Sequence, residues 1–286
     1  MENMNWVNDF LTLTTALIIA ITCAIQGVFL MLRKMSMVGD AISHSVLPGI
    51  VVAYLIFGRD ANFAMLVFSA FFGLLSTILI ELFRKKTGIR EDAAIGIVFT
   101  TLFAVGIILL ATFANDGVEI DQECVLFGEL GTVFFFKIYV GEFLIGTKAM
   151  WYMLPITFLV IGLLIIGRNG LKLMSFDEQY GTTLGVKTGN WHYGQMFLLS
   201  LTAVMAFESV GAIMVVGMLI VPAVTANIIF KSLKKVIWFS ACFASSAVII
   251  GWVISGRYNL TLSGTIVSIT GIQLLVVILV LKFKRK

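Results

Sequence analysis

Nine apolar runs, divided by short polar or basic breaks, fill most of this chain of 286 residues: 10–32, 43–57, 62–83, 93–113, 150–166, 194–207, 211–230, 236–254 and 264–281. As helices rising about 1.5 Å per residue, they cover much or all of a hydrocarbon core about 30 Å thick. Lipid offers a backbone no hydrogen-bond partner, so such runs must fold as helices. One place leaves the count open: only Glu208, Ser209 and Val210 separate two runs, and if one is re-entrant the number of spans is eight. Hydrophobic residues make up 59% of the chain and charged residues 13%, against roughly 45–50% and a quarter in soluble domains. The expected fold is an all-α polytopic membrane protein with one transmembrane domain over residues 1–286. The first run is read as a retained span, because it is too long for a signal-peptide core and no basic segment precedes it.

Basic residues set the orientation. Arg33-Lys34, Arg84-Lys85-Lys86 with Arg90, the basic residues of 168–187, Lys231 to Lys235 and the tail from Lys282 all follow or precede a run and read as cytoplasmic. Nine spans then place the N-terminus outside and the C-terminus inside. Residues 1–9 hold Glu2 and Asp9 without Lys or Arg, and residues 115–130 hold five acids and no base, as the outer face requires. The net charge of +4 therefore reflects topology signals, not nucleic-acid binding. Residues 132–148, apolar but mixed with Lys137, Glu142 and Lys148, are expected to form an amphipathic interfacial helix. Cys23, Cys124 and Cys242 have no paired spacing and read as free thiols.

Asp40 and His44 stand one helical turn apart at the start of the second run, on one helix face. Ionisable groups are costly in hydrocarbon and normally face a pathway or a partner. A carboxylate with an imidazole suits Mn²⁺, Fe²⁺ or Zn²⁺ better than Cu⁺, which prefers sulfur. Two ligands hold an ion weakly; a symmetric dimer would offer four. The alternative is a His44–Asp40 hydrogen bond that only satisfies two polar groups. Pro48 lacks an N–H, so a continuous helix would kink there and leave the His44 carbonyl without its partner; Pro222 does the same for Met218. Glu208, between two runs, either sits in water at an outer turn or lines the pathway. His192, between Trp191 and Tyr193, is expected at the membrane interface.

The cytoplasmic loop 168–190 contains a short helix, with Ser175 or Asp177 as its cap and Gly185 as its end. It is either a connector or a docking element for a soluble partner. Gly185-Val186-Lys187-Thr188 lacks the glycine that a phosphate-binding loop needs before its lysine, and neither HExxH nor GxSxG occurs. Any energy drawn from ATP must come through another chain. A proton-coupled transporter using Asp40 and His44, and a membrane metalloenzyme, are the rival readings.

Four blocks in order resemble the permease subunits of ATP-binding-cassette importers for manganese, zinc and iron: Val38-Gly39-Asp40-Ala41-Ile42-Ser43-His44-Ser45-Val46-Leu47-Pro48-Gly49, Glu91-Asp92-Ala93-Ala94-Ile95-Gly96-Ile97-Val98-Phe99-Thr100, Phe176-Asp177-Glu178 through Leu184-Gly185-Val186, and Val210-Gly211-Ala212 through Pro222-Ala223-Val224-Thr225-Ala226. The resemblance implies a fold similar to the cobalamin importers and a homodimer or close pair in the bacterial cytoplasmic membrane. It also implies cytoplasmic ATP-binding subunits, an extracytoplasmic metal-binding protein, and no permanently bound cofactor beside the transported divalent ion. Asp40 and His44 match the family's metal-contacting pair. Phe176, Asp177, Glu178, Leu184 and Gly185 match the helix that couples to the ATPase, and Pro48, Glu208 and Pro222 are pathway or hinge candidates. The segment 117–129 looks most like the manganese and iron branch. Leu262-Ser263-Gly264 departs from members that carry Pro before Ser-Gly, which bears on the local loop shape only.

Overall fold

The computed structural model describes residues 2–58, 62–113, 130–135, 137–140 and 143–284. In chain order the helices are α1 (Glu2–Leu32), α2 (Val38–Ser45), α3 (Leu47–Phe57), α4 (Asn62–Thr87), α5 (Glu91–Phe113), α6 (Lys148–Ile166), α7 (Arg168–Phe176), α8 (Glu178–Thr183), α9 (Thr188–Val210), α10 (Ala212–Ile229), α11 (Leu233–Tyr258) and α12 (Leu262–Lys284). Counting α2 with α3, nine segments among the described residues are long and apolar enough to cross a membrane. The doubtful pair resolves into two separate helices. Gly211 divides them with φ +81 and ψ 159, a conformation open essentially to glycine alone, so a single residue reverses the chain.

The interfacial helix expected over residues 132–148 is not what forms. Leu130–Phe135 makes a 3-10 turn, and β1 (Lys137–Val140) pairs antiparallel with β2 (Phe143–Thr147). Ile138, Tyr139, Val140, Phe143 and Ile145 are aromatic or β-branched, which favours strands. Thr147 ends the hairpin and caps α6, its Oγ1 accepting the Met150 N–H at 3.2 Å.

The core is built around α1. Ala16, Ala20, Ala24 and Gly27 give it a small-residue face on which α10 and α11 pack; such faces let membrane helices approach closely. A Cβ on Gly27 would lie 1.6 Å from the Leu219 carbonyl oxygen of α10. Polar bonds tie α1 to its other neighbours: Thr15 to Thr147 (2.9 Å), Thr22 to Thr157 of α6 (2.8 Å), and Gln26, whose Oε1 accepts from Gln195 Nε2 of α9 (2.5 Å). Ser240 Oγ of α11 donates to the Ala24 carbonyl at 3.1 Å. By contrast α12 exposes Ile272, Leu275, Val276, Leu279 and Val280, the side chains expected against lipid. Cys23 is buried and Cys242 exposed, both as free thiols; Cys124 and the segment 117–129 lie outside the described residues.

Candidate metal site and coupling surface

In α2, Val38, Gly39, Ala41, Ile42, Ser43 and Ser45 are buried. Asp40 and His44 alone remain part open, with 45% and 33% of their side chains exposed. The two therefore mark the single unfilled face of a packed helix. His44 Nε2 lies 3.8 Å from Asp40 Oδ1, too far for a hydrogen bond, so the pair does not satisfy itself in the way the alternative reading requires. Metal–ligand bonds of about 2.0–2.2 Å to each atom sum to more than this separation, so one divalent ion can touch both without backbone movement. The His44 ring is steadied by Phe99 and Phe103 of α5, each with its centroid 5.6 Å away, the second edge-on. No group of three or more His, Cys, Asp or Glu side chains suited to a metal occurs among the described residues. One chain thus offers two side-chain ligands here.

At Pro48, which has no N–H to donate, the hydrogen-bond ladder of the helix is interrupted. The helix stops at Ser45 and restarts at Leu47, with Pro48 in the first turn of α3, where a missing N–H is tolerated. Val46 keeps helical angles, φ −73 and ψ −29, so the two segments carry on in one direction. Both are tightly held: a Cβ on Gly49 would meet the Phe68 carbonyl oxygen of α4 at 2.6 Å, and one on Gly39 would meet Leu219 Cδ1 at 2.9 Å. Pro222 is buried in α10, one turn beyond Leu219. Glu208 lies in the last turn of α9, away from Asp40 and His44 in the sequence of spans, and pairs with Lys148 Nζ of α6 at 3.8 Å.

In the loop 168–190, Asp177 is the cap of α8: its Oδ1 accepts the Tyr180 N–H at 2.9 Å. Ser175 is not a cap; it lies inside α7, and its buried Oγ has no hydrogen-bond partner. Gly185 has φ +76 and ends the segment, its N–H bonding to the Thr182 carbonyl at 3.0 Å. Glu178 opens α8, though its side chain is outside those described. Phe176 and Leu184 are more than half exposed, and so is Tyr180, which the sequence reading did not single out. Large apolar side chains are thus held open on a polar loop.

The side chain of His192 is enclosed by protein. It is 3% exposed, inside α9, with Nδ1 2.6 Å from Arg33 Nη1 and Nε2 3.4 Å from Glu81 Oε2. Glu81, also 3% exposed, takes Arg84 and Lys85 on Oε1, each at 2.9 Å. The sequence reading passed over this cluster. Its signal was an acid at position 81 inside the run 62–83, where an ionisable group is unusual.

A family model described as "ABC 3 transport family" matches residues 8–282. The chain is 38% identical over 260 residues to the manganese transport system membrane protein MntD of Bacillus subtilis, covering 91% of this chain and 88% of that one. It is 32% identical over 262 residues to the zinc transport system membrane protein TroD of Treponema pallidum, covering 90% and 70%. Among solved structures it is similar to PsaBC of Streptococcus pneumoniae, determined in complex with a Fab, with a TM-score of 0.75, 32% identity, and coverage of 93% of this chain and 89% of that one.

Proposed function

The chain belongs to the ABC 3 transport family, and on that premise we propose how it carries its ion. It is the membrane permease subunit of an importer for divalent transition metals, not an enzyme, and ATP hydrolysis belongs to a separate subunit. The rival readings, a proton-coupled transporter and a membrane metalloenzyme, are not favoured. Residues 1–286 act as one permease domain in a bacterial cytoplasmic membrane, N-terminus out. The metal is cargo, and it passes Asp40 and His44. The carrying observation is that these two groups alone stay open on a helix otherwise buried, 3.8 Å apart. A second copy, or a close paralogue, facing this side adds an equal pair and gives four ligands, a set that selects an ion yet releases it. Manganese is the first ion to test, because the manganese relative has the higher identity of the two.

The exposed apolar side chains Phe176, Tyr180 and Leu184, with Asp177, Glu178 and Gly185 shaping the segment, dock against the cytoplasmic ATP-binding subunit. An extracytoplasmic metal-binding protein delivers the ion at the other end. Pro48, Glu208 and Pro222 border the pathway. In vesicles containing this chain and its ATPase and supplied with the extracytoplasmic metal-binding protein, Asp40→Ala and His44→Ala should each lower ATP-dependent Mn²⁺ uptake at least tenfold while the complex still copurifies. Uptake at the unmodified level in both variants would refute the site.

A further inference from the structure

The cluster of half-buried Arg33 with buried Glu81 and His192 joins α4 and α9 to the residue that follows α1, and one element connects it directly to the coupling loop. Trp191 is where that loop rests. A Cβ on Gly167 would lie 2.3 Å from Trp191 Cζ3, and one on Gly170 would lie 2.4 Å from Trp191 Nε1, so the start of α7 lies against the indole ring with no room between them. His192 is the next residue. Arginine can only donate, so His192 Nδ1 accepts from Arg33 and the ring hydrogen sits on Nε2, aimed at Glu81. That second contact is only half made. Glu81 Oε2 is buried and has no hydrogen bond, and Nε2 stands 3.4 Å away, a gap that a small approach of α9 to α4 would close. A buried carboxylate oxygen left open is costly, which favours that approach.

From Glu81 the connection runs through rigid contacts. In α4, Gly73 is so close to its neighbours that a Cβ would meet Ser200 Oγ of α9 at 2.5 Å and Ile42 Cγ2 of α2 at 3.3 Å. Ile42 lies midway between Asp40 and His44. Phe68 and Ser69 of α4 press on Gly49 of α3 in the same way. A shift of α4 against α9 is therefore felt by the helix that carries the metal ligands.

We infer that His192 is a positioning residue for transport: it bridges Arg33, just after α1, and Glu81 of α4 and passes displacement of the coupling loop, received at Trp191, to the α4 side of the metal site. This rests on the importer reading above. The test uses the chain reconstituted in liposomes with its ATPase subunit and the extracytoplasmic metal-binding protein, with Mn²⁺ as cargo, and measures ions imported per ATP hydrolysed. His192→Leu should lower that ratio at least about fivefold, the lower end of measured coupling effects, with Mn²⁺ affinity within about twofold of the unmodified protein. His192→Gln, whose amide accepts at one atom and donates at the other, should restore it to within about twofold. Glu81→Gln should lower the ratio as far as His192→Leu, and the double variant no further, as for two members of one contact. A ratio unchanged in His192→Leu, or lowered equally in His192→Gln, would overturn the inference. If His192→Leu does not assemble, an unchanged ratio in Glu81→Gln overturns it equally. Absence of ATP-dependent uptake by the unmodified complex would instead refute the importer reading.

Discussion

Replacing Gly27 with alanine tests how firmly the core helix fixes the helix behind the metal ligands. The added methyl would sit 1.6 Å from the Leu219 carbonyl oxygen and 2.6 Å from its carbon. Non-bonded heavy atoms rest about 3.5 Å apart, so α1 and α10 must part by about 2 Å at their crossing. The obstacle is backbone, which has no rotamer to escape into. A gap of about 0.5–1 Å already forfeits a quarter to a half of a contact's dispersion energy, so the cost falls at the upper end of the usual overpacking range, about 3 kcal/mol. Alanine's helix preference over glycine returns about 1 kcal/mol. The net loss of about 2 kcal/mol corresponds to a Tm lower by roughly 3 °C for a chain of this size. Thermal unfolding of the detergent-solubilised protein, followed by tryptophan fluorescence, reads this directly. Leu219 also touches Gly39, next to Asp40, so Mn²⁺ affinity should fall with stability. Gly162→Ala is the internal control, because nothing lies within 4 Å of its added Cβ; its Tm should hold or rise. A Gly27→Ala Tm at or above that of the unmodified protein would refute the tight crossing.

Asp177→Ala removes the cap of α8 and should cost about 1 kcal/mol locally, seen as weaker copurification of the ATPase subunit with an unchanged global Tm. Glu178→Lys reverses a charge at the start of that helix, where negative charge is favoured; ATP hydrolysis should continue while Mn²⁺ uptake falls severalfold, as measured in liposomes. Gly211→Ala forces a side chain into a backbone region closed to it, with a strain of about 1–3 kcal/mol, and should lower Tm by several degrees in the same fluorescence assay.

The spans were legible in the sequence because lipid removes alternatives: a long apolar run has only the helix available. The same logic failed between Leu130 and Thr147. That segment lies outside the apolar runs, where lipid no longer dictates the conformation and β propensity prevails. Asp40 and His44 stood out because they share a turn of one helix, a relation that sequence spacing carries. Arg33, Glu81 and His192 lie far apart in the chain, and only the packing of α1, α4 and α9 brings them together. Arg33 had a sufficient explanation as a topology signal, and His192 had aromatic neighbours that suggested an interface. Pro48 marked the place where the helical hydrogen bonding is interrupted. Its missing N–H gave a disrupted hydrogen-bond ladder, whereas whether the helix bends or restarts depended on the close contacts at Gly49 and Gly39.

The one-residue reversal at Gly211 gives α9 unequal ends. Its far end cannot travel, since Gly211 ties it to α10 and Ser263 Oγ holds the Val210 carbonyl at 3.1 Å. With 23 residues, α9 is a rod about 35 Å long, and a tilt of about 5° about that fixed point swings the Trp191 end by roughly 3 Å while leaving Glu208 in place. Such a tilt would carry Trp191 furthest and leave the Lys148–Glu208 pair nearly where it is.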